Sequence, residues 1–278
     1  MPELPEVQTV VDTLNRCGII GCSIDGARIR WAKTVAGESP ARFRRRIQGC
    51  RILCITRRGK YIVFHLSDGL TLLIHLRMTG RLNWTHRDRA LNAHEHVILI
   101  IGPRHELRFQ DTRKFGRIVL TDAPEAILGK LGPEPLGRDF TRARFFSMLH
   151  ARKRQLKPLL LDQTFLAGLG NIYVDEALWQ AGIHPCRRSD TLDREEADAL
   201  HRAIRKVLKQ GLKNQGTSLG SGQGNFHAVG DRPGRNADKL NVFRRTAAPC
   251  PRCCATIERI IVGQRSSHIC PVCQKAPG

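Results

Sequence analysis

The sequence predicts an α+β chain of two domains followed by a small third module. Three observations carry this. Short aliphatic and β-branched runs recur between residues 23 and 121, helical spacing takes over after a Gly/Pro-rich stretch near residue 130, and two Cys-x-x-Cys pairs lie close to the end. A chain of 278 residues has room for that division.

The first element is a helix. The chain opens Met1-Pro2-Glu3-Leu4-Pro5-Glu6; Pro5 suits the first helical position, and Val7, Val10, Val11 and Leu14 follow on one apolar face. Removal of Met1 would leave Pro2 with a secondary α-amine whose pKa is about 7.7–8.0, against about 10.4 for a lysine. Such an amine is substantially neutral near physiological pH and can form an iminium with a sugar aldehyde. Glu3 and Glu6 lie within reach as acid–base partners.

Residues 52–55, 61–66, 70–76, 97–101, 107–109 and 118–120 read as strands, with turns at Gly59, Asp68-Gly69, Gly80 and Gly102-Pro103. Many short strands separated by turns suggest a sandwich or a barrel, with the first helix packed on it. Residues 129–140 form a linker. Helices are expected over 141–151, 156–161, 171–181 and 193–213, the last opened by Asp193 and Glu196 in capping-box spacing. A polar, Gly-rich loop covers 214–239. The divisions therefore fall at 1–130, 131–239 and 240–278.

Forty-six Lys+Arg against twenty-five Asp+Glu leave a net charge of +21. Residues 28–60 hold eleven Lys/Arg and one acid, Glu38, and residues 142–157 hold six and none. Such clustering points to a polyanionic partner, nucleic acid first. No apolar run reaches the roughly 18 residues of a membrane span, and no signal peptide is evident at the start. Ten cysteines without a leader point to a reducing compartment.

Cys250 and Cys253, then sixteen residues, then Cys270 and Cys273 are spaced to hold one structural Zn²⁺. Between them a hairpin is expected, with Arg265 exposed near its tip, either a solvated surface arginine or a phosphate contact. Gly168 and Gly170 permit a tight turn before a helix that Asn171 can cap. Arg77-Met78-Thr79-Gly80 and Asp111-Thr112-Arg113-Lys114-Phe115-Gly116 place an apolar side chain beside arginine on strand-connecting loops. Such side chains either finish a core or act as wedges between bases. Lys60 is a further phosphate candidate, and His75, His94 and His96 form no metal constellation.

In this order the motifs PELPEV, RGKY (58–61), HLRMTG (75–80), DTRKFG (111–116), GLGNIYVDEALW (168–179) and the four cysteines resemble the bacterial formamidopyrimidine-DNA glycosylases. The resemblance runs from Pro2 to Cys273. It implies an N-terminal β-sandwich flanked by helices, a helix–two-turns–helix domain and a C-terminal zinc-ribbon hairpin. It implies a monomeric glycosylase/AP lyase in the bacterial cytoplasm, at the nucleoid, acting on duplex DNA with oxidised bases or abasic sites. Pro2 would be the nucleophile, Glu3 the general acid/base and Glu6 a supporting carboxylate. Lys60 would bind phosphate and donate a proton, and Arg265 would grip phosphates and assist δ-elimination. Asn171 would hold a neighbouring phosphate; Met78, Arg113 and Phe115 would fill the gap left by the flipped base; His75, His94 and Arg152 would contact DNA.

The PELPEV start and DTRKFG argue against the endonuclease VIII branch, and an architectural zinc-ribbon protein would leave the proline–carboxylate pairing unexplained. Four departures from the family pattern stand out. Gln8 replaces a frequent glutamate, and Cys254 replaces a glycine, where it could compete for zinc. The loop 216–234 carries a glycine-rich insert at 220–224, and Arg235-Asn236 stands where an aromatic pair is usual.

Overall fold

The computed structural model describes residues 1–220, 226–230 and 232–277; most of the glycine-rich insert lies outside them. The chain forms two compact units. Met1–Gly129 joins with Leu212–Ala237, and Lys130–Gly211 joins with the chain from Asp238 onward. Among the described residues no helix is long and apolar enough to cross a membrane.

The first unit is a β-sandwich. Strands β1 (Ile24–Ile29), β2 (Ile52–Arg58), β3 (Tyr61–Leu66), β4 (Thr71–His75), β5 (Gly80–His86), β6 (Glu95–Ile101), β7 (His105–Asp111) and β8 (Arg117–Thr121) form two four-stranded sheets, ordered β1-β6-β7-β5 and β2-β3-β4-β8. Every ladder in them is antiparallel. Inward residues of both sheets, among them Phe64, Ile74, Leu99 and Phe109, share one core with Val7, Val10, Val11 and Leu14 of α1 (Leu4–Arg16). Helix α1 starts one residue earlier than its Pro5 suggests, with Glu3 as N-cap. Pro5 then occupies the second position, still among the first four N–H groups that have no intrahelical acceptor, so its missing donor costs nothing there.

Before residue 130, two strands and two helices fall outside the expected elements. β1 buries only two of its six residues, a pattern too sparse to read, and β5 alternates weakly around Leu82 and Trp84. Helix α2 (Pro40–Ile47) lies in the arginine-rich run; its signal is the i, i+4 pair Phe43 and Ile47, both buried, behind a Ser39 cap that accepts the Arg42 N–H. A one-turn α3 (Glu125–Leu128) ends the strand-rich part.

The second unit holds α4 (Arg142–His150), α5 (Leu156–Leu161), α6 (Asn171–Ala181) and most of α7 (Arg194–Lys213). The capping box is present: Glu196 N donates to Asp193 Oδ1 at 2.8 Å and Asp193 N to Glu196 Oε2 at 3.1 Å. In the first unit β9 (His227–Ala228) and β10 (Arg232–Pro233) pair within the loop that follows α7. In the second, β11 (Glu258–Val262) and β12 (Arg265–Ile269) form the cysteine-module hairpin. Gly263 and Gln264 both have positive φ, 54° and 62°. That is the two-residue turn whose twist suits a tight hairpin.

Candidate active site

Pro2, Glu3 and Glu6 are buried together at the start of α1. Glu6 accepts the Glu3 N–H at 2.8 Å on one oxygen and the Thr217 N–H at 2.7 Å on the other. Its carboxylate thus ties the chain's first turn to the loop after α7, a contact that the local sequence around Glu6 does not announce. Asn236 completes the stem. Its side chain donates to Thr217 Oγ1 at 3.1 Å, accepts from Asn214 Nδ2 at 3.0 Å, and is 1% exposed. Asn236 is therefore a buried polar strut.

Gly216 sits under this stem with φ +84°, and a Cβ there would lie 2.9 Å from Glu6 Cγ. Gly216→Ala should cost roughly 1–2 kcal/mol from the left-handed backbone alone, plus whatever displaces Glu6. Urea unfolding checks this; a variant as stable as the parent would show that the Glu6 contact under Gly216 tolerates a Cβ.

Lys60 follows Gly59 (φ 56°) in the two-residue turn between β2 and β3, and only 5% of it is exposed. Helix α1 packs on both strands. His75 ends β4; its ring meets Tyr61 edge-on at 4.8 Å, and its Nδ1 accepts the Arg77 N–H at 3.0 Å. Nε2 must then carry the proton of the neutral ring. Burial, then the charges of Arg77 and Lys60, push the His75 pKa down to about 3. Because the folded value lies below the ordinary 6.5, this neutral ring stabilises the fold fully above pH 6.5 and progressively less as pH falls toward 3. Between pH 6.5 and 5 the loss should be about 2 kcal/mol. His75→Asn, which keeps an acceptor near Nδ1, should flatten that slope; parallel pH profiles of the urea midpoint for the two proteins would remove His75 as its source.

Asp111 is fully buried and organises both loops that carry the apolar–arginine pairs. It accepts the Thr79 hydroxyl, the Arg113 N–H at 3.2 Å and the Gly116 N–H at 2.7 Å. Met78, next to Thr79, is half-buried, Phe115 is 48% exposed, and the Arg113 guanidinium lies 4.8 Å from the Phe115 ring centre. These three residues are held on one Asp111–Thr79 clamp. Lys114 Nζ lies over Trp31 at 4.0 Å, anchoring the same loop from its other side. Half-buried His94 follows a loop pinned by Arg108, a fully buried arginine bonded to Glu106, to Glu95 and to the carbonyls of Arg89 and Ala90. Neither Asp111 nor Arg108 stands out in the sequence, where Arg104, Glu106, Arg108, Asp111, Arg113 and Lys114 follow one another closely.

In the second unit Gly170, not Asn171, is the N-cap of α6; Asn171 is its first residue, and its Nδ2 donates instead to the Ser266 carbonyl at 3.0 Å. Lys157, fully buried, donates to the same carbonyl at 3.2 Å and to Asp175, whose second oxygen accepts the His268 N–H and Nδ1 at 3.0 Å. Arg265, exposed, is the residue before Ser266, so its backbone is fastened from behind. Asn171 is thus brought to the Arg265 hairpin. Arg152, also exposed, follows α4, and its carbonyl accepts the Ser189 hydroxyl at 2.5 Å. The orphaned lone pair at Asn171 Oδ1 is buried.

The sulfur atoms of Cys250, Cys253, Cys270 and Cys273 all lie within 4.8 Å of one another, with close pairs at 3.4, 3.5 and 3.9 Å. Tetrahedral ligands at about 2.3 Å from zinc are separated by about 3.8 Å, so this donor set fits one structural zinc ion. Cys254 is in the left-handed conformation at φ 63°, is exposed, and is not part of the cluster.

Residues 1–118 match the N-terminal domain of formamidopyrimidine-DNA glycosylase, 131–222 its H2TH domain, and 248–276 the zinc finger found in FPG and IleRS. The chain belongs to the formamidopyrimidine-DNA glycosylase family. It is 46% identical over 275 residues to the formamidopyrimidine-DNA glycosylase of Protochlamydia amoebophila, covering 99% of this chain and 100% of that one. It is 43% identical over 277 residues to the glycosylase of Herpetosiphon aurantiacus, with the same coverage. A Lactococcus lactis Fpg mutant solved with Fapy-dG containing DNA superposes with a TM-score of 0.91 at 35% identity, over 99% of this chain and 100% of that one. The Lactococcus lactis enzyme with abasic-site DNA gives 0.90 at 35% identity and equal coverage. The glycosylase architecture therefore comprises the sandwich, the helical domain and the zinc finger described above.

Proposed function

We propose that this glycosylase excises 8-oxoguanine and formamidopyrimidines from duplex DNA through a Schiff base on Pro2, and then cuts the strand by β,δ-elimination. The observation that carries the reading is the buried cluster at the start of α1. Both oxygens of Glu6 are engaged by backbone N–H groups, so its role is positional. Glu3, 2% exposed beside Pro2, is the carboxyl assigned to proton transfer.

The Pro2 nitrogen attacks C1′, the C1′–N bond breaks, and the base departs with a proton. Opening of the sugar gives the iminium. Loss of a C2′ proton then expels the 3′ phosphate, a second elimination expels the 5′ phosphate, and water hydrolyses the iminium, which frees the Pro2 nitrogen, releases the sugar-derived aldehyde and leaves a one-nucleotide gap. Lys60 and Arg265 bind the phosphates and serve the eliminations, and Asn171 steadies a neighbouring phosphate. Met78, Arg113 and Phe115 fill the space of the extruded nucleotide, whose unstacking costs a few kcal/mol. His75 offers Nε2–H to the strand, with His94 and Arg152 as further contacts. Chemistry is assigned to 1–130, duplex binding to 131–239 and phosphate grip to 240–278, in the cytoplasm at the nucleoid.

Borohydride trapping tests the nucleophile. Chain with Met1 removed should be trapped covalently on an 8-oxoguanine duplex, and the adduct should map to residue 2. Chain retaining Met1 has an amide at Pro2 and should bind the duplex without trapping. An adduct on a lysine, or full trapping with Met1 in place, contradicts the assignment. Faster cleavage of thymine glycol than of 8-oxoguanine would overturn the purine preference.

A further inference from the structure

We infer that the groove beside α7 and the start of α4 is a second binding site for the phosphodiester backbone of DNA, apart from the site that takes the lesion. The inference rests on the DNA-repair reading above and concerns residues that it leaves unused. Arg142, His201, Arg202, Arg205, Lys206 and Lys209 line a groove of about 390 Å³. Five of the six are cationic and none is acidic. Asp198, paired with Arg142 at 3.7 Å, is not among the lining residues.

A charged helix face is ordinarily just solvated, and two features set this one apart. First, the charges are in register. Arg202, Lys206 and Lys209 are exposed at i, i+4 and i+7, one stripe about 10 Å long at 1.5 Å per residue. That length spans about three phosphates of a strand at 3.4 Å each. Arg205 cannot swing away, because it donates to the carbonyls of Pro135 at 2.9 Å and Gly137 at 3.3 Å.

Second, the wall of the groove is fixed. His201 is 7% exposed and stacks on Phe140 at 4.8 Å, and its Nε2 donates to the Phe140 carbonyl at 2.8 Å. Burial lowers the His201 pKa, so the ring is a neutral wall that adds no negative charge to the groove. A fixed arginine and a stripe of exposed cations along a rigid wall suit a chain of phosphates better than a single carboxylate.

The test counts duplexes. A labelled 8-oxoguanine duplex of about 12 base pairs, little more than one helical turn, is titrated into the intact protein at ~50 mM salt. The parent should bind two duplexes. The R202Q/K206Q/K209Q variant should bind one and excise the lesion at the parental rate. Glutamine is nearly as good a helix former as the residues replaced, so the fold should hold. For the second duplex, the slope of log K against log salt should include about 0.9 for each phosphate neutralised. Saturation of the parent at one duplex overturns the inference, as does a variant that still binds two. Loss of lesion-duplex affinity in the variant would move these residues into the lesion site, and displacement by poly-aspartate at equal charge would reassign the groove to an acidic protein segment. Absence of excision by both proteins strikes the repair reading instead, and leaves the duplex count readable.

Discussion

Lys157→Met should destabilise the helical unit by about 3–5 kcal/mol, the cost of stranding one member of a buried ion pair. Lys157 is fully buried and Asp175 is 2% exposed, so water cannot take over for the missing ammonium. Among the described residues Asp175 would retain the His268 N–H and Nδ1, and the Ser266 carbonyl would retain Asn171. The loss is large against a domain stability of roughly 5–15 kcal/mol. Asp175→Asn in the same chain should recover part of it, because the uncompensated charge is removed. A double-mutant cycle in urea measures the coupling. Strictly additive effects, or a loss below about 1 kcal/mol, would mean that the pair is not holding the hairpin. Amide exchange across β11 and β12 should rise in the single variant, since Ser266 lies in β12.

Removal of zinc should have the larger effect. Apparent binding energies of structural zinc are about 10–16 kcal/mol at neutral pH, comparable to the stability of a whole domain. The apolar cluster behind the site is small: Trp179, Val242, Cys250, Ile257 and Cys270, two of them thiolate ligands. Without the ion, four sulfurs within 4.8 Å of one another lose the centre that joins them. Chelation, or Cys253→Ser, should therefore unfold the hairpin, release one zinc per chain and abolish duplex binding while the sandwich still melts cooperatively. Cys254→Ala should keep its zinc, since Cys254 stands outside the cluster. Retention of hairpin amide protection by the metal-free chain would refute a structural role for the ion.

Much of this architecture was legible because local rules and tertiary demands agree. β3, α5 and α6 have the bounds that their residue patterns announce, and the Asp193–Glu196 box closes as its spacing implies. Cysteine spacing specifies a metal site because four ligands in two tight turns admit few other uses. β1 and α2 were hidden for opposite reasons. β1 shows too little apolar signal, its place being set by pairing with β6. α2 shows too much charge, since Phe43 and Ile47 stand alone among arginines.

By itself the sequence determined which residues are candidates for chemistry: a proline with two carboxylates, a lysine in a tight turn, an arginine at a hairpin tip and four spaced cysteines. Each follows from chain-local chemistry, where identity and spacing suffice. Only the tertiary structure decided what holds them. Thr217 on Glu6, Asp111 on the Met78 and Phe115 loops, Lys157 behind Arg265 and the His201 groove all join residues distant in sequence. Such contacts are chosen by burial, which forces each polar group to find whichever partner the fold brings near.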